Sequence, residues 1–183
     1  MMKKILALLC AVILLAGLAA CGEKSSGGGD DSGSDTDTVS AATMEEVFDK
    51  AFEAAKAYDA DKMGEVDYVI NFKKNTAKEE NVAKISAQLD SLGEERLAQY
   101  REYYANAYYK ITEQEAFSDD DREAYIAELS ESYSDTDSIT EIVTVSYDVY
   151  LSESDEPDSQ SCVMIRVGEQ WYRYLGYDAW DLD

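Results

Sequence analysis

From Met44 to Tyr104 the apolar residues return every three or four positions, and beyond Ile139 they return every second position. A chain cannot serve both periods with one kind of element, so helices must come first and strands last. Thr43-Met44-Glu45-Glu46 reads as a capping box, after which Met44, Val47, Phe48, Ala51, Phe52 and Ala55 share one helical face and the helix runs to about Tyr58. Asp59 to Lys62 read as a break, and Gly64 to Asn71 as a short second helix carrying Val66, Val69 and Ile70. A second capping box, Thr76-Ala77-Lys78-Glu79, predicts a long helix from 77 to about 108 through Val82, Ile85, Leu89, Leu92 and Leu97, with Gly93 as a kink or stop. Tyr109 to Glu115 reads as a first strand. Ser118 before Asp119, Asp120 and Asp121 then predicts a capped helix with Tyr125, Ile126, Leu129 and Tyr133 on one side, ending near Ser134.

Strict alternation of Val143, Val145, Tyr147, Val149 and Leu151 with polar residues predicts a half-buried strand. Ser152 to Ser159, which contains Pro157, reads as a loop, and Gln160 to Val167 with Gln170 to Tyr177 as a hairpin about Gly168-Glu169. Pairing Val167 with Gln170 puts Val163, Ile165, Tyr172 and Tyr174 on one face, which reads as core. Cys162, Met164, Arg166, Trp171, Arg173 and Leu175 fall on the other. That second face is mixed, and Met164, Arg166, Trp171 and Arg173 are its candidate binding residues. The plainer account of the same residues is a cation–π contact between strands with ion pairs to nearby carboxylates. The fold class expected is α+β, with N-terminal helices packed on an antiparallel sheet of about three to four strands.

The N-terminus sets an address. Lys3 and Lys4 precede an uncharged apolar run from Ile5 to Ala20, the layout of a secretory signal peptide. The run is short of the about 20 residues a spanning helix needs. Leu18-Ala19-Ala20-Cys21 resembles the bacterial lipobox, which implies cleavage before Cys21 and a diacylglyceryl group on its thiol. Cys10 does not compete, because Leu8 and Leu9 precede it. Residues 1–20 are thus expected to be a signal peptide, residues 21–40 a lipidated cysteine with a flexible Gly, Ser and Asp linker, and residues 41–183 one domain. The linker would hold the domain on the order of 25 Å from its anchor. After its aspartates neither a turn-forming glycine nor a closing bidentate carboxylate follows in the register of a calcium loop. The expected location is the outer side of the cell membrane, or the outer membrane if the host has two.

Charge and composition exclude more than they name. The net charge of -23 becomes -25 once Lys3 and Lys4 leave with the signal peptide, and residues 111–183 carry three basic side chains against twenty acidic ones. Nucleic acid would meet repulsion there in place of counterion release. The chain has no histidine, which removes histidine triads, bases and metal sites together. It also lacks a phosphate loop and a Cys-X-X-Cys pair, and no cofactor or metal is expected. With Cys21 lipidated, Cys162 has no disulfide partner and reads as a buried, inert thiol. Tyr100, Tyr103, Tyr104, Tyr108 and Tyr109 could form a ligand platform, but amphipathic packing accounts for them more simply.

The capped first helix closing on Ala57-Tyr58-Asp59-Ala60-Asp61-Lys62-Met63, and the terminal Val167-Gly168-Glu169-Gln170-Trp171-Tyr172 hairpin, resemble small lipoproteins of the nuclear transport factor two-like, or cystatin-like, superfamily. The resemblance covers residues 43–177 as an order of elements. It implies a cone-shaped domain whose curved sheet wraps a helix and leaves a pocket at the open end. The superfamily holds isomerases and dehydratases beside proteins without catalysis, so fold alone does not decide function. The leading expectation is a non-catalytic, membrane-tethered domain that binds an envelope protein or small molecule. The alternative is a small enzyme using a carboxylate and a tyrosine, with Asp148 and Tyr150 as the pair that could be cast so. A transporter's solute receptor is disfavoured, because one domain of this size lacks a second lobe to close on ligand.

Overall fold

The computed structural model describes residues 42–152 and 156–175. The expected signal peptide, Cys21, the linker and Tyr177 lie outside the described residues. Helix α1 (Met44–Ala57) begins with the capping box the sequence predicts: Thr43 Oγ1 accepts from the Glu46 N–H at 3.2 Å, and the Thr43 N–H donates to Glu46 Oε2 at 2.8 Å. It ends where Tyr58 turns left-handed at φ 51°. Arg101 covers the exposed end, donating from Nε to the Ala57 carbonyl at 2.7 Å.

The expected short second helix is two. Asp59 caps α2 (Ala60–Val66) by accepting from the Lys62 N–H, and Asp67 closes α2 and opens α3 (Tyr68–Phe72) by accepting from the N–H groups of Val69 and Ile70. An aspartate at the joint favours a fresh start over continuation, because its side chain competes for backbone donors.

The long helix predicted from 77 to about 108 is also two, α4 (Lys78–Asp90) and α5 (Glu94–Tyr104), divided at Gly93 with φ 83°. The second capping box does not form. Asn75 is left-handed at φ 65°, Thr76 Oγ1 donates back to the Lys73 carbonyl at 3.4 Å, and Ala77 is the N-cap without a side-chain bond. The local turn has taken the hydroxyl that the box required.

Strand β1 (Tyr108–Ala116) follows, then α6 (Asp119–Leu129) under its Ser118 cap. Helix α6 stops short of Ser134 because the next residues bond elsewhere. The Ser134 N–H donates to the Phe72 carbonyl at 2.8 Å, and the Lys74 N–H to that of Ser132 at 2.9 Å. A single 3₁₀ turn (Thr136–Ser138) leads into β2 (Ile139–Tyr150), β3 (Asp158–Val167) and β4 (Gln170–Tyr174).

The four strands form one open antiparallel sheet in the order β1-β2-β3-β4. Val167 stands opposite Gln170, and Gly168 at φ 61° supplies the left-handed position of the turn between them. Bulges interrupt β1 between Ile111 and Glu113 and β2 between Ile139 and Glu141.

Each face of the sheet supports a core. On one, Val143, Val145, Tyr147, Cys162, Met164 and Trp171 meet Met44, Val47, Phe48 and Phe52 of α1. On the other, Ile142, Ile165 and Tyr174 meet Tyr68, Ile70, Leu129 and Tyr133. This corrects the expected division into a core face and a mixed face. The mixed face is the more thoroughly covered, because α1 lies along it, whereas Val163 and Tyr172 on the expected core face are only half-buried. No helix among the described residues is long and apolar enough to cross a membrane.

Candidate functional site

Strand register builds the site. Glu141 stands opposite Arg166 on β2 and β3, and Arg166 opposite Trp171 on β3 and β4, so the three lie across neighbouring strands on one rung. Arg166 Nη1 is 3.6 Å from Glu141 Oε2, and its guanidinium lies 5.9 Å from the centre of the Trp171 ring. These are the cation–π contact and ion pair that the residue types allow without any ligand. The Arg166 Nε atom is out of reach of solvent and has no hydrogen-bond partner.

That rung borders an open groove of about 510 Å³ between the start of α1, the end of β1 and the β3–β4 turn. Its floor is Met44, Ala116, Val143 and Trp171, and its rim is Glu45, Gln114, Glu141, Arg166 and Glu169. Gln114 Nε2 donates to Glu45 Oε1 at 3.4 Å, tying edge strand to helix across the groove. The capping box positions this wall, since it fixes Thr43 and the first turn of α1 at the groove's side.

The four candidate binding residues therefore divide. Arg166 and Trp171 line the groove. Met164 and Arg173 sit one rung further in, opposite Val143 and each other, with exposures of 0 % and 4 %. Helix α1 covers that rung, so they belong to the interior. Arg173 faces Tyr147 and Cys162 and forms a backbone bridge with Asp67. Sequence reasoning missed Glu45, Gln114, Ala116 and Glu141. They come from three separate elements, and no short-range signal brings them together.

The other chemical candidates are placed elsewhere. Asp148 Oδ1 accepts from Ser159 Oγ at 2.6 Å, and Tyr150 stacks on Tyr108 at 4.9 Å under Lys110, on a half-buried stretch of the sheet face that carries Ile142. Neither lines the groove. Cys162 is buried, and burial pushes its thiol up to about 12, against a smaller opposing pull from Arg173. It is a poor nucleophile on both counts.

The five tyrosines separate as well. Tyr100 and Tyr104 pack on Tyr58, Tyr109 meets Phe48 and Phe52, Tyr108 pairs with Tyr150, and Tyr103 stands 61 % exposed.

A second hollow of about 590 Å³ lies at the far end of α1 beside Tyr58, Asp59, Asp61 and Arg101. It pairs a tyrosine with carboxylates, as the enzyme reading asks. The Lys62 N–H, however, holds the Asp59 carboxyl below the usual range despite partial burial, which makes it a weak base. Arg101 is occupied with the carbonyls of Ala57 and Tyr58. In the groove the carboxylates are exposed or half-exposed and no tyrosine lines the wall. Among the described residues no cluster of three or more His, Cys, Asp or Glu side chains is placed to hold a metal.

Fold and site together define an α+β domain with an open four-stranded meander and a surface groove at one end. Comparison with protein-family models, with curated proteins and with solved structures found no match.

Proposed function

We propose that the chain is an extracytoplasmic lipoprotein, anchored through Cys21 and extended on its acidic linker, whose domain binds a partner in the groove without catalysing a reaction. The observation that carries the binding reading is the meeting of Arg166, Trp171 and the first turn of α1 around an accessible hollow of about 510 Å³. Its floor is apolar and its rim polar, the arrangement expected of a recognition surface. We read the sheet and α1 as the cone of the nuclear transport factor two-like superfamily, with the groove at its mouth. The anchor reading rests on Lys3, Lys4, the apolar run and Leu18-Ala19-Ala20-Cys21.

Two measurements test these parts separately. Cells fed a labelled fatty acid should yield labelled mature protein, and Cys21→Ala should be unlabelled and released from the membrane. An unlabelled wild-type protein would remove the anchor. For the groove, a photo-cross-linking residue at Gln114 should capture a discrete envelope partner, and Ala116→Trp, which fills the hollow from an exposed position, should abolish capture. Capture that is absent, or indifferent to Ala116→Trp, would end the binding reading.

A further inference from the structure

The groove's charge narrows its occupant. Three carboxylates, Glu45, Glu141 and Glu169, face it against one guanidinium, Arg166, which Glu141 already pairs. The surplus is negative, and the chain of net charge -23 around it deepens the potential. The linker and the C-terminal residues that flank the domain are acidic. The linker carries Asp30, Asp31, Asp35 and Asp37, the C-terminal residues carry Asp178, Asp181 and Asp183, and a second copy would bring the same charge and the same rim. Occupation by either flanking segment, or by a second copy seated rim to rim, would set like charges together without compensation.

The groove's openness narrows it further. A small ligand needs roughly 70–90 % of its surface enclosed to bind well, and this hollow is broadly open to solvent, with Glu45 and Glu169 exposed at it. A segment of a larger molecule needs no such enclosure, because contacts beyond the groove add to its affinity.

We propose that the groove takes a basic segment of another envelope protein. Its lysine or arginine side chains lie against Glu45 and Glu169, and an apolar residue between them rests on Met44 and Ala116. This rests on the binding reading above and adds the chemical class of the partner.

The test uses the full lipidated chain in phosphatidylcholine nanodiscs, with empty nanodiscs as the blank. Fluorescence anisotropy follows a labelled peptide alternating lysine and leucine, beside one alternating glutamate and leucine. The double variant Glu45→Gln/Glu169→Gln removes two rim charges from exposed positions. Glu79→Gln/Asp90→Asn removes the same charge from exposed positions on α4, away from the groove. We expect the lysine peptide to bind and the glutamate peptide not to. The groove variant should weaken binding on the order of tenfold, the sum of two modest charge contacts, while the α4 variant changes it by less than about twofold.

Equal loss in both variants would overturn the proposal, because the field of the whole chain would then be responsible. So would a lysine peptide that does not bind, or a groove variant that binds as the wild type does. Capture from Gln114 with no lysine-peptide binding would remove only the basic class. Absent capture would remove the binding reading itself.

Discussion

At the scale of one residue, Trp171 has two duties that pull in opposite directions. Its ring is 8 % exposed and belongs to the core beneath α1, yet its remaining surface helps floor the groove and carries the Arg166 guanidinium. Core membership dominates, since deleting a buried indole removes its transfer free energy and leaves a cavity. Trp171→Ala should therefore lower the stability of the domain by about 3–5 kcal/mol, while Trp171→Phe should retain most of it. Urea titration followed by far-ultraviolet circular dichroism measures both. A loss below about 1 kcal/mol for the alanine variant would mean the ring is a surface feature after all. The same duality explains why this residue could be singled out from sequence while its burial could not. Hairpin register reveals the neighbours of Trp171, but nothing local reveals that α1 lies across them.

At the scale of elements, α2 and α4 come together closely at Gly64. A Cβ on Gly64 would stand 2.7 Å from Val82 Cγ2. Alanine is the better helix former by about 0.8–1.0 kcal/mol, but valine in a helix keeps essentially one rotamer and cannot swing away. Overpacking of this kind costs about 1–3 kcal/mol, so Gly64→Ala should destabilise by on the order of 1 kcal/mol. Val82→Ala should be less harmful in that background than in the wild type, with a coupling of at least about 0.5 kcal/mol in a double-mutant cycle. Strictly additive effects would show that the helices do not meet there. No periodicity announced this contact. The first capping box, the strand alternation and the Gly168-Glu169 turn are local devices, and the sequence read them correctly with the hairpin register. The second box failed because Asn75 and the Lys73 carbonyl compete for the same backbone turn and hydroxyl. The groove was legible only on its β3–β4 side, where Arg166 and Trp171 face one another across a turn of known geometry. Its other walls depend on where α1 and β1 come to rest, which is a property of tertiary packing.

At the scale of the whole molecule, the interior is rich in groups that ionise on the alkaline side. Burial is the foremost cause raising the phenols of Tyr58, Tyr68, Tyr125, Tyr147 and Tyr172 above their ordinary value. Tyr109 is pushed up to about 12 by burial and then by Asp49, whose Oδ1 accepts its hydroxyl at 3.3 Å, and the Cys162 thiol is pushed up to about 12 by burial. In the unfolded chain the thiol titrates near 9.0 and the phenols near 10.0. Between those values and the folded ones, the unfolded state has released protons that the folded state still holds, so raising the pH favours unfolding. The contribution is intact below about pH 9 and is lost progressively as the pH climbs toward 12. Each phenolate formed also adds to a charge that is already -23, and self-repulsion of that kind is eased by salt. The urea midpoint should thus fall steeply between about pH 9 and 11, more steeply at low ionic strength than at high. Cys162→Ala should flatten the first part of that fall, near the thiol's unfolded value, and leave the later tyrosine-driven part in place. A midpoint constant across this range would mean that the tyrosine hydroxyls reach water freely and that the two cores are more open than their packing implies.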